Sequence, residues 1–265
     1  VADGVLRATL KGAENDGEVV LKVVQKPGGA ELSRLVSRIQ SVAHPALAPV
    51  QALFTVGPHL YVEVPAYASG DATAWLASAA PSGDDKRRVL RDVASALAAL
   101  HAASVTHGNV RPSKVFVTEE GQGVLSDHWG CSSPAPDSLF VAPEALGDST
   151  ALATEAADVF SFGLVAFEMF HGPPPRRDSA KAPVAIPKSD NKLVYSLLKA
   201  LCALDPKKRP SASAVLANAF FAPDFVMASK GTLVKSNMTL DDMLAQVTES
   251  TKGDPAKDLD RLQAA

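Results

Sequence analysis

His107-Gly108-Asn109-Val110-Arg111-Pro112-Ser113-Lys114 is a polar loop that leads straight into a β-branched strand, Val115-Phe116-Val117. A second short strand near residues 123–125 is followed by Ser126-Asp127-His128-Trp129. Upstream of this centre the chain is strand-rich. Residues 5–10 and 18–24 are β-formers split by the turn signal Asn15-Asp16-Gly17. Leu32, Leu35, Val36, Ile39 and Val42 then recur at helical spacing until Pro45. Residues 50–56 and 60–64 again resemble strands, with Gly57-Pro58 as the turn between them. From Asp71 onward the pattern becomes helical. Residues 86–103 place Val89, Leu90, Val93, Leu97 and Leu100 on one face, and residues 156–170, 192–203 and 212–219 follow as further helices. Residues 172–175 and 181–188 are loops. The plan is α+β: a small strand-rich lobe ahead of a large helical lobe.

The bulk numbers narrow the class. The chain has 265 residues, 46% of them hydrophobic, and a formal net charge of -3, which gives no global case for nucleic acid or an anionic membrane. Arg176-Arg177 and Lys207-Lys208-Arg209 are small basic clusters of the kind found on wetted surfaces. Cys131 and Cys202 match no paired metal-ligand spacing and are too few for a disulfide framework, which points to a reducing compartment. No apolar run approaches the ~20 residues that span a bilayer. A first residue Val1, partway into strand-like sequence, predicts a piece of a longer protein.

The order of short motifs resembles the protein-kinase set. Val19-Val20-Leu21-Lys22 stands where kinases carry the phosphate-pairing lysine, and the 107–114 loop stands where they carry the catalytic loop. Asp127 falls at the metal-binding position, and Ala142-Pro143-Glu144 closes an activation segment. Asp158-Val159-Phe160-Ser161-Phe162-Gly163 resembles the large helix that follows, and Arg209-Pro210 the late arginine that pairs with the segment's glutamate. That resemblance implies a bilobal protein-kinase-like fold over nearly the whole chain.

Each departure from the motif set has a physical meaning. A kinase aspartate accepts the substrate hydroxyl proton; here the position is Asn109, and an amide is no carboxylate base. Five residues on, the kinase metal-ligating asparagine is replaced by Lys114, a cation that repels metal and predicts a salt bridge to Asp127. Arg111 replaces the loop lysine and keeps the capacity to hold phosphate. Asp3 falls where a phosphate-loop glycine would stand, and Leu35 where a helix glutamate would pair with Lys22, with Glu31 one turn earlier. The sequence therefore predicts a pseudokinase, not an enzyme, with no catalytic residues and no metal site. Lys22, Arg111 and Asp127 remain as a residual nucleotide site for weak ATP binding, although Lys22 reads equally as a solvated strand-end lysine. His107 is expected to be a packed structural histidine, and Glu144–Arg209 a structural ion pair that locks the large lobe together with Asp158. Trp129, bulky where a glycine would give hinge freedom, predicts a buried side chain at the lobe interface and a fixed segment from Asp127 to Glu144.

Several loops carry a narrower likeness. His107-Gly108-Asn109-Val110 leading into Val115-Phe116-Val117, Phe170-His171-Gly172-Pro173-Pro174-Pro175-Arg176, Ile186-Pro187-Lys188 and Asp205-Pro206-Lys207-Lys208-Arg209-Pro210 resemble the Scy-like, or N-terminal kinase-like, family. The stretch from Phe225-Val226 to Thr239-Leu240 resembles its post-kinase extension. The resemblance implies a pseudokinase domain over residues 1–228 and an extension over 229–265 that leads to HEAT-type helical repeats. It implies a scaffold for protein partners such as coat or trafficking proteins, cytoplasmic and Golgi-associated. Some members of that family are linked to tRNA export; direct nucleic-acid contact by this domain is not expected. Two alternatives stand beside the scaffold: a weak or atypical ATP-binding kinase, and a kinase-like regulatory subunit of a lipid-kinase complex.

Overall fold

Val19 and Val23 are the buried residues of β2 (Glu18–Gln25), four apart on one face, as the period of two demands. β2 pairs antiparallel with β1 (Gly4–Thr9) on one side and with β4 (His59–Pro65) on the other, and β3 (Ala52–Val56) completes a four-stranded sheet in the order β1-β2-β4-β3. Lys22 lies opposite Val5 and Val62. A computed structural model describes residues 4–9, 18–130, 139–146, 153–177, 179, 182–188, 191–222, 227–229 and 232–234. Asp3, the Asn15-Asp16-Gly17 turn, Cys131 and the extension near Thr239 lie outside the described residues.

Among the described residues, one helix packs with this sheet. α1 (Gly29–Ser41) buries Leu35 in a cluster with Leu60, Val62 and Val64 of β4 and with Trp129. The loop after α1 is tied to the other lobe by backbone hydrogen bonds: Ala48 N–H donates to Leu125 O at 2.9 Å and Leu125 N–H to Ala46 O at 2.8 Å.

The second and larger core is helical. α2 (Ala72–Ala79) starts at an Asp71 cap, and α3 (Gly83–Ala102) buries Val89, Leu90, Val93, Leu97 and Leu100, the face its sequence periodicity marks. α3 begins three residues earlier than the apolar pattern predicts. The Ser82 hydroxyl accepts from Asp85 N–H while the Asp85 carboxylate accepts from Ser82 N–H, a reciprocal cap that recruits a polar first turn. α4 (Glu155–His171), α5 (Lys192–Leu201) and α6 (Ala212–Leu216) complete the lobe. Gly163 of α4 has no room for a side chain: a Cβ there would stand 2.7 Å from Leu201 Cβ and 2.8 Å from Cys202 Sγ. Burial pushes the Cys202 thiol up to about 12, so it packs as an inert apolar group. Between the lobes, β5 (Val115–Val117) and β6 (Gly123–Leu125) form a short antiparallel pair with Val115 opposite Leu125.

The chain divides into two compact units, Val1–Phe221 and Ala222–Ala265. The described part of the second is a pair of short antiparallel strands, β7 (Met227–Ser229) and β8 (Thr232–Val234). Among the described residues no helix is long and apolar enough to cross a membrane.

Candidate active-site cleft

The β5–β6 pair does the positioning. Lys114 precedes β5 and Ser126-Asp127 follow β6, so antiparallel pairing brings sequence-distant residues side by side, and Ser126 N–H donates to Lys114 O at 2.8 Å. Lys22 reaches in from β2. Its ammonium donates to Ser126 Oγ at 2.7 Å and to Asp127 Oδ1, while the Lys114 ammonium takes Asp127 Oδ2. Ser126 Oγ also donates to Asp127 Oδ1 at 3.2 Å. The three charged side chains are 12%, 16% and 5% exposed for Lys22, Lys114 and Asp127. Burial alone would raise the Asp127 pKa, but Lys22 and Lys114 outweigh it and hold the carboxyl below its ordinary value. Asp127 also sits at φ +68°, a left-handed backbone uncommon for a residue with a side chain.

Lys22 is not the solvated strand-end lysine that was one of its two sequence readings. Its ammonium lies over the Trp129 ring at 5.2 Å and over the Phe116 ring at 5.7 Å. Trp129 is 2% exposed and shares the α1–sheet cluster with Leu35. Leu35, at the position of the kinase helix glutamate, is thus part of an apolar contact between α1 and the residues after Asp127, and Glu31 is exposed. Residues 131–138 of the segment between Asp127 and Glu144 lie outside the described residues.

The loop ahead of β5 hangs on Asp158 of α4. His107 N–H and Gly108 N–H donate to its two carboxylate oxygens at 2.7 Å each, and His101 Nε2 lies 2.9 Å from Oδ2. Gly108 turns the loop at φ +75°, with Ala153 Cβ 3.0 Å from where a Cβ would stand. His107 is buried. Its Nε2 donates to Ser126 O at 2.7 Å and its Nδ1 accepts from Asn109 N–H at 3.1 Å, which fixes a neutral tautomer; burial pulls its pKa down accordingly. Asn109 is buried beside it, and the Arg111 Nε is buried without a hydrogen-bond partner.

Two residues escaped the sequence reading. Arg38, one turn beyond Leu35 on α1, donates from Nη2 to Thr106 O at 2.5 Å and to His128 O at 3.1 Å, so α1 grips both loops of the cleft through backbone carbonyls. The i, i+3 spacing of Leu35 and Arg38, which sets both on one face of α1, is the signal the sequence carries for it. Arg177 is no wetted surface arginine: it donates to Val141 O and lies 4.9 Å from the Phe160 ring. The expected Glu144–Arg209 pair is present and bidentate, at 2.6 and 2.8 Å.

Comparison with known proteins fixes the family. Residues 8–221 match the family model described as protein kinase domain. The chain belongs to the protein kinase domain family. It is 24% identical over 78% of its length to a rice (Oryza sativa subsp. japonica) protein named as CBL-interacting protein kinase 13, of which the match covers 46%. It is 27% identical over 54% of its length to the serine/threonine-protein kinase PknE of Mycobacterium tuberculosis, covering 26% of that protein. A shorter match, 28% identical over 32% of the chain and 29% of the relative, is to the non-functional pseudokinase ZED1 of Arabidopsis thaliana. The chain spans less than half the length of these curated relatives.

Membership in the kinase family overturns one expectation. The sequence reading excluded enzyme activity, yet the matched family is that of protein kinases and relatives over more than half of the chain are named as kinases. Asn109 and Lys114 describe the composition of this cleft; they do not demonstrate a domain without activity. Magnesium is the ion that kinase chemistry implies, held by the Asp127 and Lys114 positions. The donor set of this kinase-family domain does not fit it. Both Asp127 oxygens carry ammonium groups, and Lys114 supplies a cation where a metal needs an oxygen.

Proposed function

We propose that this kinase-family domain, a member of the Scy-like branch, acts as a protein-interaction scaffold in intracellular membrane traffic. Lys22, Arg111 and Asp127 serve in it as a residual nucleotide site, with ATP a weakly held ligand. The observation that carries the reading is the occupation of both Asp127 oxygens by Lys22 and Lys114. A carboxylate so engaged, with Trp129 and Leu35 packed behind it, favours a cleft that holds one shape, and a fixed shape is what a binding surface needs. In this reading residues 1–228 form the kinase-like domain, and 229–265 lead to a helical-repeat region. His107, Asp158, Glu144 and Arg209 are structural, the partners are coat or trafficking proteins, and the site of action is the cytoplasmic face of the Golgi.

A second reading, an atypical protein kinase, is favoured by the names of the relatives and by the Lys22–Asp127 contact at the cleft. One experiment separates the two. Full-length protein is tested for coat-protein co-precipitation without nucleotide and with ATP and magnesium, and wild type and Asp127→Asn are compared for radiolabel transfer from ATP. The scaffold co-precipitates coat protein equally in both conditions and transfers no label. Radiolabel transfer that Asp127→Asn abolishes in a folded variant, with no coat-protein co-precipitation, establishes the kinase.

A further inference from the structure

The loop after α4 reads Gly172-Pro173-Pro174-Pro175-Arg176-Arg177. Gly172 ends the helix, its N–H on Glu168 O at 3.0 Å. Each proline ring then fixes its own φ at about −65°, and each proline holds the residue before it in extended backbone. Pro173 and Pro174 are constrained in both ways, so the run is a left-handed polyproline helix with about three residues per turn. Burial along the loop keeps that period. Pro174 is buried; Arg177, three residues on, is half-buried, donates to Val141 O and lies 4.9 Å from the Phe160 ring. Pro173 and Arg176, the other pair three apart, are exposed, and so is Pro175. One ridge of the polyproline helix is therefore anchored on the protein, and the other two face solvent. Proline has no N–H to offer. Among the described residues no hydrogen bond goes to the carbonyls of Pro173, Pro174 or Pro175, and no ion pair engages Arg176.

We propose that Pro173, Pro175 and Arg176 form a docking surface for a polyproline-binding domain of the WW type, whose groove is lined by aromatic rings and carries an acidic side chain beside it. Such a domain grips two of the three ridges of a polyproline helix, and two are what this loop presents. The proline rings offer apolar faces to the aromatic rings, the open carbonyls accept hydrogen bonds from tryptophan or tyrosine of the groove, and the Arg176 guanidinium pairs with the acid and sets the direction of docking. A groove of the SH3 type, which takes prolines three apart, is not served: the residues three after Pro173 and Pro174 are Arg176 and Arg177. The shorter WW groove is the one that fits. The anchor at Pro174 and Arg177 holds the loop in its bound form before a partner arrives, so docking orders little and the affinity of a short motif is raised. The surface shares no residue with the cleft, so the proposal stands whatever the cleft binds.

An array of purified WW domains, with SH3 domains beside them, probed with the full-length protein tests this; each retained domain is then titrated in solution by fluorescence polarisation. WW domains with an acidic residue beside the groove bind. Pro173→Ala together with Pro175→Ala weakens that binding about tenfold or more, Arg176→Glu does the same, and Arg176→Lys stays within about threefold of wild type. A free peptide of residues 171–177 binds the same domain more weakly than the folded protein does, because it lacks the anchored ridge. No retained WW domain, binding unchanged by the double proline substitution, or a peptide that binds as tightly as the protein overturns the proposal. Retention by SH3 domains alone overturns the assignment to the shorter groove, and binding unchanged by Arg176→Glu overturns the pairing with an acid. Thermal midpoints establish that each variant is folded, and Arg176→Glu, a change at an exposed side chain, carries the test if the double proline substitution is not.

Discussion

Glu144–Arg209 and Lys22–Asp127–Lys114 are both ionic clusters inside the same unit, and they are built on opposite plans. Arg209 places each of its five N–H groups: Nε on Ala203 O, Nη1 on Glu144 and Ala156 O, Nη2 on Glu144 and Leu204 O. The Phe160 ring lies 4.8 Å beneath its guanidinium. One cation meets one anion and every donor is used, which is how a structural tie is made. At the cleft a single carboxylate is shared between two cations. Lys22 also meets Ser126 Oγ and lies over two rings, so this cluster joins β2 to the residues after β6 through several weaker contacts where Arg209 uses one bidentate pair.

The largest effect expected is at the balanced pair. Arg209→Ala removes the bidentate partner of Glu144 and the side-chain donors to three backbone carbonyls. It should cost about 3–5 kcal/mol, towards the lower end because Glu144 is partly exposed. Urea denaturation of the two proteins measures it; a loss below about 1 kcal/mol would mean that Arg209 is not a tie. Acid should separate the clusters next. His128 is 3% exposed, and its pKa is lowered from 6.5 to about 4. In the unfolded chain it protonates near 6.5, in the folded domain only near 4, so its contribution is complete above pH 6.5 and is lost as pH falls towards 4. That loss is about 3 kcal/mol, and His107 is lowered in the same sense. Burial alone would raise Glu144 and Asp127, but Arg209 for the first and Lys22 and Lys114 for the second hold them below 4.5 and 3.8, so their contributions fail only at lower pH. Urea midpoints between pH 7 and 4 should fall in wild type, and His128→Phe should flatten the fall.

The shared carboxylate predicts an asymmetry that the balanced pair lacks. Asp127→Asn removes the carboxylate that holds both Lys22 and Lys114 and should cost about 3 kcal/mol, whereas Lys114→Met keeps the Lys22–Asp127 contact and should stay within about 1 kcal/mol of wild type. Equal costs for the two substitutions would erase the distinction drawn between the clusters. The smallest effect is at the link between lobes. Arg38→Leu removes the hydrogen bonds to Thr106 O and His128 O and should cost about 1–2 kcal/mol. Hydrogen exchange should quicken in α1 and at residues 126–130 and stay unchanged in α3; equal acceleration in α3 would mean a global loss instead.

The sequence by itself determined the order of elements and most of the polar loops. Val19 and Val23 on β2, the buried face of α3 and the turn at Gly57-Pro58 follow from local periodicity and turn chemistry, which need no knowledge of the rest of the chain. Helix starts were missed where a cap, as at Ser82–Asp85, recruits polar residues that carry no apolar period. The Glu144–Arg209 and Lys114–Asp127 pairs were legible because motif order assigns both partners. The tertiary structure alone decided which cations are buried. Lys22 meets Asp127 across 105 positions, between two aromatic rings supplied by β5 and by the residues after β6. Arg38 meets carbonyls 68 and 90 positions away, and Arg177 one 36 positions back. A lysine or arginine has the same composition and local pattern in water as between rings. Its partners and its desolvation are set by how two lobes close on each other, and nothing within a few residues of it in sequence encodes that.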